Sequence, residues 1–207
     1  YLTFTQKDFS RNGGRCEAEA KEKLALPVFV KPANMGSSVG IHKVKRWEDL
    51  RPALQDAFQY DRKVLIEQGI DAREIELAFL DGDPAFVSVP CEINASPQHE
   101  FYSYEAKYLD ENGASVDLPA RLSDAQVKEV QALTLAAVKA LECNGFARVD
   151  FFLDRKSGKF YFNEINTLPG FTSISMYPKM MEASGLAYPK LLTKLIELAL
   201  ARQEEKH

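Results

Sequence analysis

Apolar and polar residues follow two different periods along this chain, and together they predict short strands interspersed with amphipathic helices. Runs with alternating apolar residues, bounded by glycine, proline or aspartate, are typical of strands. Several strands follow one another closely enough to form antiparallel hairpins, without a Rossmann-type βαβ repeat, so the predicted fold class is α+β. Strands are expected at residues 1–5, 27–32, 40–44, 63–68, 73–80, 85–93, 147–153 and 160–165, and helices at 16–24, 47–60, 123–143, 173–184 and 188–205.

The longest predicted helix begins at a capping box. Ser123 and Gln126 have the spacing at which each side chain bonds the other residue's backbone N–H, so we expect the helix to start there. Apolar residues three or four positions apart then define the face expected to be buried. That face comprises Val130, Leu133, Ala137 and Leu141.

The predicted hairpin at residues 147–165 carries polar side chains on otherwise apolar strands. Arg148 and Asp150 lie two residues apart, as do Glu164 and Asn166. Because strand side chains alternate between faces, an in-register hairpin places all four on one face. Carboxylate and amide oxygens suit a hard cation such as Mg²⁺, and an arginine suits an anion bridged to it. The alternative is a solvated charged face, but the apolar strands and the following Asn-Thr-Leu-Pro-Gly turn favour a site.

A second candidate for binding chemistry follows the strand at residues 27–32. Lys31 ends that strand, and the small residues of Ala-Asn-Met-Gly-Ser-Ser-Val-Gly come next, including Ser37 and Ser38. Small residues let backbone N–H groups approach a ligand, so lysine and loop could hold a phosphate. This is not a Walker A motif, because the lysine precedes the loop. An ordinary hairpin with a surface lysine explains the pattern equally well.

Residues 95–119 have no clean period. A loop of this length within a compact domain is often an active-site lid. The alternative is a disordered insertion, which the aromatic content argues against. The aromatic residues are Phe101, Tyr102, Tyr104 and Tyr108, and Lys107 lies among them.

Composition narrows the class of protein. The chain has 207 residues, 45% of them hydrophobic, enough for a core in one domain or two small ones. A net charge of −4 gives no global support for nucleic-acid binding. The three cysteines are widely spaced, which predicts a reducing compartment without disulfides or zinc. Without a membrane-length apolar run or a signal peptide, the expectation is a cytoplasmic protein with no membrane partner.

The order of motifs resembles that of the ATP-grasp ligases, and specifically the D-alanine–D-alanine ligases of bacterial cell-wall synthesis. Val-Lys-Pro is followed by Gly-Ser-Ser, Ile-Glu-Gln-Gly-Ile, Arg-Glu-Ile-Glu, Tyr-Glu-Ala-Lys-Tyr, Ala-Arg-Val-Asp and Asn-Glu-Ile-Asn-Thr-Leu-Pro-Gly-Phe-Thr. The resemblance implies an ATP-grasp fold of two α+β lobes whose antiparallel sheets grip ATP between them. Residues 1–67 would form the central lobe, N-terminally incomplete, and residues 68–207 the C-terminal lobe with a closing loop at about 95–119. Because the chain starts at Tyr1 inside a strand, we expect it to lack the family's N-terminal domain.

The resemblance also implies a reaction. The family joins two D-alanines at the expense of ATP, through a D-alanyl phosphate, for peptidoglycan synthesis. A relative that uses D-lactate or D-serine as the second substrate is one alternative, and a truncated ATP- and Mg²⁺-binding module with little ligase activity is another. The family is usually dimeric, which leaves a homodimer of the full-length protein open.

Several residues match the family's nucleotide-binding positions. Lys31 would contact the phosphates, and Ser37 and Ser38 would cover the γ-phosphate, with Ser37 also orienting substrate. Tyr102 and Lys107 would lie near ATP on the closing loop, with Tyr108 near the substrate. The adenine hinge would be Glu67, Gln68, Gly69 and Ile70, and Glu74 would hydrogen-bond the ribose.

The remaining matches to the family concern the metal ligands, the transition state and the second substrate. Arg148 would stabilise the transferring phosphoryl group and the tetrahedral intermediate, and Gly170 would offer its backbone N–H to the same oxyanion. The carboxylate of the second D-alanine would contact Ser175 and Met176. Oxygen ligands leave Mn²⁺ open beside Mg²⁺. The ligands of two such ions would be Asp150, Glu164 and Asn166.

Overall fold

A computed structural model of the chain describes residues 1–95 and 114–204. These residues form two compact units, the first comprising Tyr1–Ile70 and the second comprising Asp71–Asn94 and the described chain from Ser115 onward. The predicted division lay three residues earlier, after residue 67. Each unit combines helices with one antiparallel sheet, which confirms the predicted α+β class.

The first unit is a four-stranded antiparallel sheet with two helices, in the strand order β1-β4-β2-β3. Alternate residues of β2 and β4, including Val30 and Ile66, are fully buried in a cluster with residues of both helices. The opposite face of the sheet carries Lys31 and Glu67. The elements are β1 (Leu2–Thr5), α1 (Gln6–Lys23), β2 (Val28–Pro32), β3 (His42–Val44), α2 (Leu50–Tyr60) and β4 (Lys63–Gln68), with a 3₁₀ turn at Trp47–Asp49.

Helix α1 begins ten residues before the predicted start. Thr5 and Asp8 form a capping box, and the backbone leaves the helical region only at Asn12, where φ is −157° and ψ is 73°. The Asn12-Gly13-Gly14 sequence kinks this helix but does not end it. Burial of Cys16 and Ala20 against the sheet supports the helix beyond this weak point.

The second unit is built on a sheet in the order β10-β9-β5-β7-β8, with the short β6 also paired to β5. The predicted strand at residues 85–93 is two strands, because Pro90 cannot donate to a ladder. The elements are β5 (Ala72–Leu80), β6 (Phe86–Val87), β7 (Cys91–Ala95), β8 (Ala114–Asp117), α3 (Asp124–Ala140), β9 (Phe146–Asp154), β10 (Phe160–Asn166), α4 (Met176–Ala183) and α5 (Tyr188–Glu204).

One face of this second sheet packs on α3 and forms the core of the unit. The predicted capping box at Ser123 and Gln126 is confirmed. The predicted buried stripe was partly wrong, because Leu133 and Leu141 are 36% and 52% exposed. Val130 is buried as predicted and Ala137 packs against the core, but Thr134 and Val138 take the other buried positions. The Thr134 hydroxyl donates to the Val130 carbonyl at 2.8 Å. The sheet contributes Ile75, Leu77, Phe79, Val149, Phe151 and Leu153 to this core.

The last two helices contribute unequally to packing. Tyr177, Met180 and Met181 of α4 are buried, whereas in α5 only Leu191 is. Within the part of the chain that the structure describes, no helix is both long and apolar enough to cross a membrane.

The connector after β4 depends on a glycine. The Gly69 N–H donates to the Pro27 carbonyl at 2.8 Å, and a Cβ at residue 69 would lie 2.6 Å from that oxygen. The Gln68 side chain binds the same segment, donating to the Ala25 carbonyl at 2.7 Å and accepting from the Ala25 N–H at 2.8 Å. These bonds hold residues 25–27 against the end of the strand.

We therefore expect Gly69→Ala to lower the free energy of unfolding by about 1–3 kcal/mol, because a rigid backbone atom occupies the space of the new methyl group. Chemical denaturation measures the change. Gly14→Ala is the matched control, since a Cβ there meets nothing nearer than Asn12 Oδ1 at 3.7 Å and alanine favours a helix. Equal stability of the two variants would contradict the close-contact explanation.

Candidate active site

The face of the second sheet opposite α3 carries a row of three carboxylates. Asp150 of β9 pairs with Glu76 of β5 on one side and with Glu164 of β10 on the other. A bulge between Phe162 and Glu164 shifts the register and sets this alignment. Directly opposed residues share a face, so the three carboxylates point the same way. The in-register hairpin predicted from sequence is confirmed for Glu164 and Asn166, which pair with Asp150 and Arg148.

Arg148 lies within this row and contacts all three carboxylates. Its Nε donates to Asp150 Oδ1 at 2.8 Å and its Nη2 to Oδ2 at 2.7 Å, which makes a bidentate pair. Its Nε lies 3.5 Å from Glu76 Oε1, and its Nη2 lies 3.9 Å from Glu164 Oε1. The guanidinium is therefore held in one orientation by charges from three strands.

The electrostatics of Arg148 follow from this arrangement. Burial by itself lowers the pKa of Arg148, because it penalises the charged form. The charge and hydrogen bonds of Asp150, followed by the charges of Glu76 and Glu164, outweigh burial and raise that pKa well above its ordinary value. Arg148 is a permanent cation in a site with three acidic groups.

The turn after β10 brings three predicted residues together. The Leu168 N–H donates to Asn166 Oδ1 at 3.0 Å, which fixes the start of the turn. A Cβ at Gly170 would lie 2.7 Å from Ser175 Oγ, so the two residues are in close contact. Ser175 is the N-cap of α4 and Met176 is its first residue. The Ser175 hydroxyl accepts from the Thr172 N–H at 3.1 Å rather than from the helix.

Aromatic packing fixes this turn to the sheet. Phe171 lies 5.4 Å from Tyr177 and 5.8 Å from Phe146, measured between ring centroids. The buried Tyr177 hydroxyl donates to the Phe79 carbonyl at 3.0 Å. Burial raises the pKa of Tyr177, so this hydroxyl stays protonated as a donor. The turn and the start of α4 are thus anchored to β5 and β9.

In the first unit, Lys31 lies on the sheet face opposite the helices. Its Nζ lies 2.8 Å from Glu67 Oε2, so a predicted phosphate contact and a predicted adenine contact form an ion pair. Phe29 pairs with both Glu67 and Lys43 across neighbouring strands, and Lys43 Nζ lies 5.9 Å from the centroid of its ring. Two lysines, a carboxylate and an aromatic ring therefore share one face of this sheet.

The predicted phosphate loop has an unusual backbone. Ser37 and Ser38 have φ values of 56° and 60°, in the left-handed region that non-glycine residues rarely adopt. Gly40 also has positive φ, and a Cβ there would lie 2.7 Å from the Tyr60 ring. Strained residues of this kind concentrate at ligand-binding sites. The geometry is therefore compatible with a loop shaped for its ligand.

The predicted residues thus fall into two groups, one in each unit. The Gln68 side chain bonds the backbone of Ala25, and its place in the adenine hinge stays a prediction. Glu74 lies on the same sheet face as the carboxylate row, two residues from Glu76. The expected closing-loop residues Tyr102, Lys107 and Tyr108 lie outside the described residues.

Glu76 is the member of the site that the sequence did not single out. It lies two residues from Glu74 on the same strand, but its contact with Arg148 depends on the pairing of β5 with β9, which β6, β7, β8 and α3 separate in the sequence. The signal in the sequence is a glutamate within a strand whose neighbouring residues are apolar, because a buried charge needs a partner.

Three predicted ligands offer oxygen atoms of the kind that a hard divalent cation prefers. Asp150 and Glu164 supply carboxylate oxygens, and Asn166 supplies an amide oxygen. In residues 1–95 and 114–204, no group of three or more His, Cys, Asp or Glu side chains is arranged to hold a metal ion. Of the three predicted metal ligands, Asp150 and Glu164 are acidic residues, and the third, Asn166, carries an amide.

The chain is similar to known ligases over nearly its whole length. Residues 1–197 match the family described as D-ala D-ala ligase C-terminus. D-alanine–D-alanine ligase A of Bradyrhizobium diazoefficiens is 62% identical over 206 residues, which is 100% of this chain and 55% of that protein. The D-alanine–D-alanine ligase of Caldicellulosiruptor bescii is 51% identical over 100% of this chain and 56% of its own length. The chain thus spans about half the length of these relatives.

Solved structures show the same likeness. The VanG D-Ala:D-Ser ligase of Enterococcus faecalis superposes with a TM-score of 0.81 at 37% identity, over 95% of this chain and 55% of that one. The D-alanine–D-alanine ligase of Coxiella burnetii gives 0.77 at 37% identity, over 99% of this chain and 52% of its own. These similarities confirm the predicted ATP-grasp fold class.

A buried thiol lies beside the carboxylate row. Cys91 of β7 pairs with Glu76 and is fully buried. Burial, with a further contribution from the charge of Glu76, raises the pKa of the Cys91 thiol to about 12. All three cysteines are free thiols, and Cys143 is the half-buried one.

Because alkylation requires the thiolate, we expect native Cys91 to resist iodoacetamide at pH 8.5 while Cys143 reacts first. Unfolding in denaturant at pH 8.5 should expose the thiol and lead to its labelling. Peptide mass spectrometry of native and denatured samples provides the measurement. Labelling of Cys91 as fast as Cys143 in the native protein would contradict the burial.

Proposed function

This chain belongs to the D-ala D-ala ligase C-terminus family, and on that basis we propose that it is part of an ATP-dependent ligase that joins two D-alanines. The reaction would form D-alanyl-D-alanine through a D-alanyl phosphate, for peptidoglycan precursors made in the cytoplasm. The observation that carries the proposal is the Arg148 guanidinium, held by three carboxylates in the unit that also contains the Gly170–Ser175 turn.

ATP binding is assigned to residues of both units. In the first unit, Lys31 would bind the phosphates, Ser37 and Ser38 would donate to the γ-phosphate, and Glu67 to Ile70 would hold the adenine. The ion pair of Lys31 with Glu67 supports this, because it brings the proposed phosphate contact next to a proposed residue of the adenine hinge. In the second unit, Glu74 would accept from the ribose. Lys107 and Tyr102 join this set through their sequence motif.

A divalent cation would be held by Asp150, Glu164 and Asn166, as their oxygen donors suit Mg²⁺ or Mn²⁺. When bound, such ions neutralise the phosphate charge of ATP and so favour attack at the γ-phosphorus. We propose two ions, as the family resemblance implies. If Asp150 bound a metal ion in place of Arg148, part of the Arg148 guanidinium would become available to a ligand.

The proposed chemistry has two steps. The carboxylate oxygen of the first D-alanine attacks the γ-phosphorus, which forms D-alanyl phosphate and releases ADP. The amine of the second D-alanine then attacks the acyl carbon, the amine loses a proton, and inorganic phosphate leaves. Arg148 and the Gly170 N–H would stabilise the negative charge that develops on oxygen. Tyr108 and Ser37 would orient the substrates.

The second D-alanine would bind at the start of α4. Its carboxylate would accept hydrogen bonds from the Ser175 hydroxyl and the Met176 N–H, where the helix dipole favours an anion. The contact between Gly170 and Ser175 supports this assignment, because it links the proposed oxyanion donor to the proposed carboxylate site. Tyr177 and Phe171 hold both residues in position.

A second candidate differs only in the acceptor. The VanG structure, at a TM-score of 0.81, is of a D-Ala:D-Ser ligase, so D-serine is an alternative second substrate. The two substrates differ by one hydroxyl group, and only a direct comparison distinguishes them. D-lactate is the third acceptor to compare.

The test is ADP release by the complete gene product that contains these 207 residues, with Mg²⁺ and with or without D-alanine. We expect D-alanine-dependent ADP release and a product with the mass of D-alanyl-D-alanine. A D-alanyl-D-serine product at higher kcat/KM would favour the second candidate. No D-amino-acid-dependent ADP release would contradict the proposed function. The 207-residue chain, assayed alongside, should bind ATP but ligate poorly if the remaining half of the relatives' length is needed.

Arg148→Ala should lower kcat by about 100-fold or more, because Arg148 acts on charge that develops only in the transition state. ATP affinity, measured by calorimetry, should change little. Since the change leaves buried carboxylates without their cation, Arg148→Lys provides a variant that keeps the charge but loses the bidentate geometry. Arg155→Ala is the control, because Arg155 pairs with Asp71 at an exposed position of the same unit. Parallel losses of ATP affinity and kcat would argue against the proposed role.

A further inference from the structure

We infer that Glu76 is a positioning residue that holds the Arg148 guanidinium from the central strand β5. The inference rests on the proposed function, because it concerns the orientation of the group that would face the transferring phosphoryl. The observations behind it are the 3.5 Å approach of Glu76 Oε1 to Arg148 Nε and the burial of both side chains, which are 10% and 22% exposed.

Glu76 lies in a more central and more enclosed position than Glu164. Strand β5 pairs with β9 on one side and with β6 and β7 on the other, whereas Glu164 lies on the edge strand β10. The Glu164 side chain is also 50% exposed, against 10% for Glu76. An ion pair on a central strand with little exposure is screened less by solvent and has less conformational freedom.

The division of roles among the carboxylates gives Glu76 a separate task. Asp150 and Glu164 are the proposed metal ligands, so in the loaded enzyme their oxygens would be shared with a cation. Glu76 is outside that set and would keep its contact with Arg148. Once a cation shares the Asp150 oxygens, Glu76 would still hold the Nε edge of the guanidinium, so that Nη2 could face an anion. Buried groups that orient a ligand-binding residue in this way commonly matter for activity although they touch no substrate.

The test is Glu76→Gln in the complete gene product, since glutamine preserves size and an oxygen acceptor but removes the charge. We expect kcat for D-alanine-dependent ADP release to fall by about 10- to 100-fold. The KM for ATP and the calorimetric Kd of Mg²⁺-ATP should stay within about twofold of the wild type. This separation of kcat from nucleotide binding distinguishes orientation of Arg148 from a role in binding.

A double-mutant cycle shows whether the effect passes through Arg148. If Glu76 acts by holding Arg148, then Glu76→Gln should cause no further loss of kcat when Arg148 is already alanine. Additive losses would overturn the inference, because they would place the action of Glu76 elsewhere.

Glu92→Gln is the matched control. Glu92 forms an ion pair with Arg73 in the same sheet, with Arg73 Nε donating to Glu92 Oε1 at 2.7 Å, and its residue is as buried as Glu76. Loss of that pair should lower the thermal midpoint but leave kcat within about twofold. Thermal midpoints of both variants separate loss of stability from loss of positioning.

The outcomes separate the inference from the proposed function. A wild-type protein without D-alanine-dependent ADP release would overturn the proposed function and the inference with it. An active wild type in which Glu76→Gln matches Glu92→Gln in kcat would overturn the positioning role alone. Weakened Mg²⁺-ATP binding in Glu76→Gln would also overturn it, because Glu76 would then belong to the metal or nucleotide site.

Discussion

The ion-pair cluster of Arg148 with Glu76, Asp150 and Glu164 is the interaction on which the candidate site depends. One cation among three acidic groups would be expensive to bury without direct pairing. The bidentate bonds to Asp150 supply that pairing, and the alignment of three strands brings the other two carboxylates close. The net negative charge that remains is what a divalent cation would neutralise.

The apolar face of the same sheet makes this cluster possible. Val149 and Phe151 alternate with Arg148 and Asp150, so packing against α3 fixes the register of the charged residues as well. A slip by one residue would exchange the two faces, burying charges in the core. The stability of the unit and the geometry of the site therefore depend on the same strand register. The bulge before Glu164 brings Glu164 opposite Asp150.

Much of this could be predicted from local sequence, and the limits have physical causes. The hairpin of β9 and β10 was predicted correctly, because its pairing is local and its alternation is clear. Glu76 was missed because β5 reaches β9 through a non-local pairing that no short pattern specifies. The kinked start of α1 was missed because the buried positions of Cys16 and Ala20 outweigh the poor helix propensity of Asn12 and two glycines. On α3, Thr134 is buried in place of Leu133 because its hydroxyl bonds the helix backbone.

The central proposal is that Asp150, Glu164 and Asn166 hold the metal ion of a bound nucleotide. Calorimetric titration of ATP into the complete gene product, with and without Mg²⁺, tests it most directly when repeated with Glu164→Gln. ATP binding that requires Mg²⁺, and that weakens about tenfold or more in the variant, is the predicted result. Equal ATP affinity with and without Mg²⁺, or equal affinity of wild type and variant, would contradict the claim.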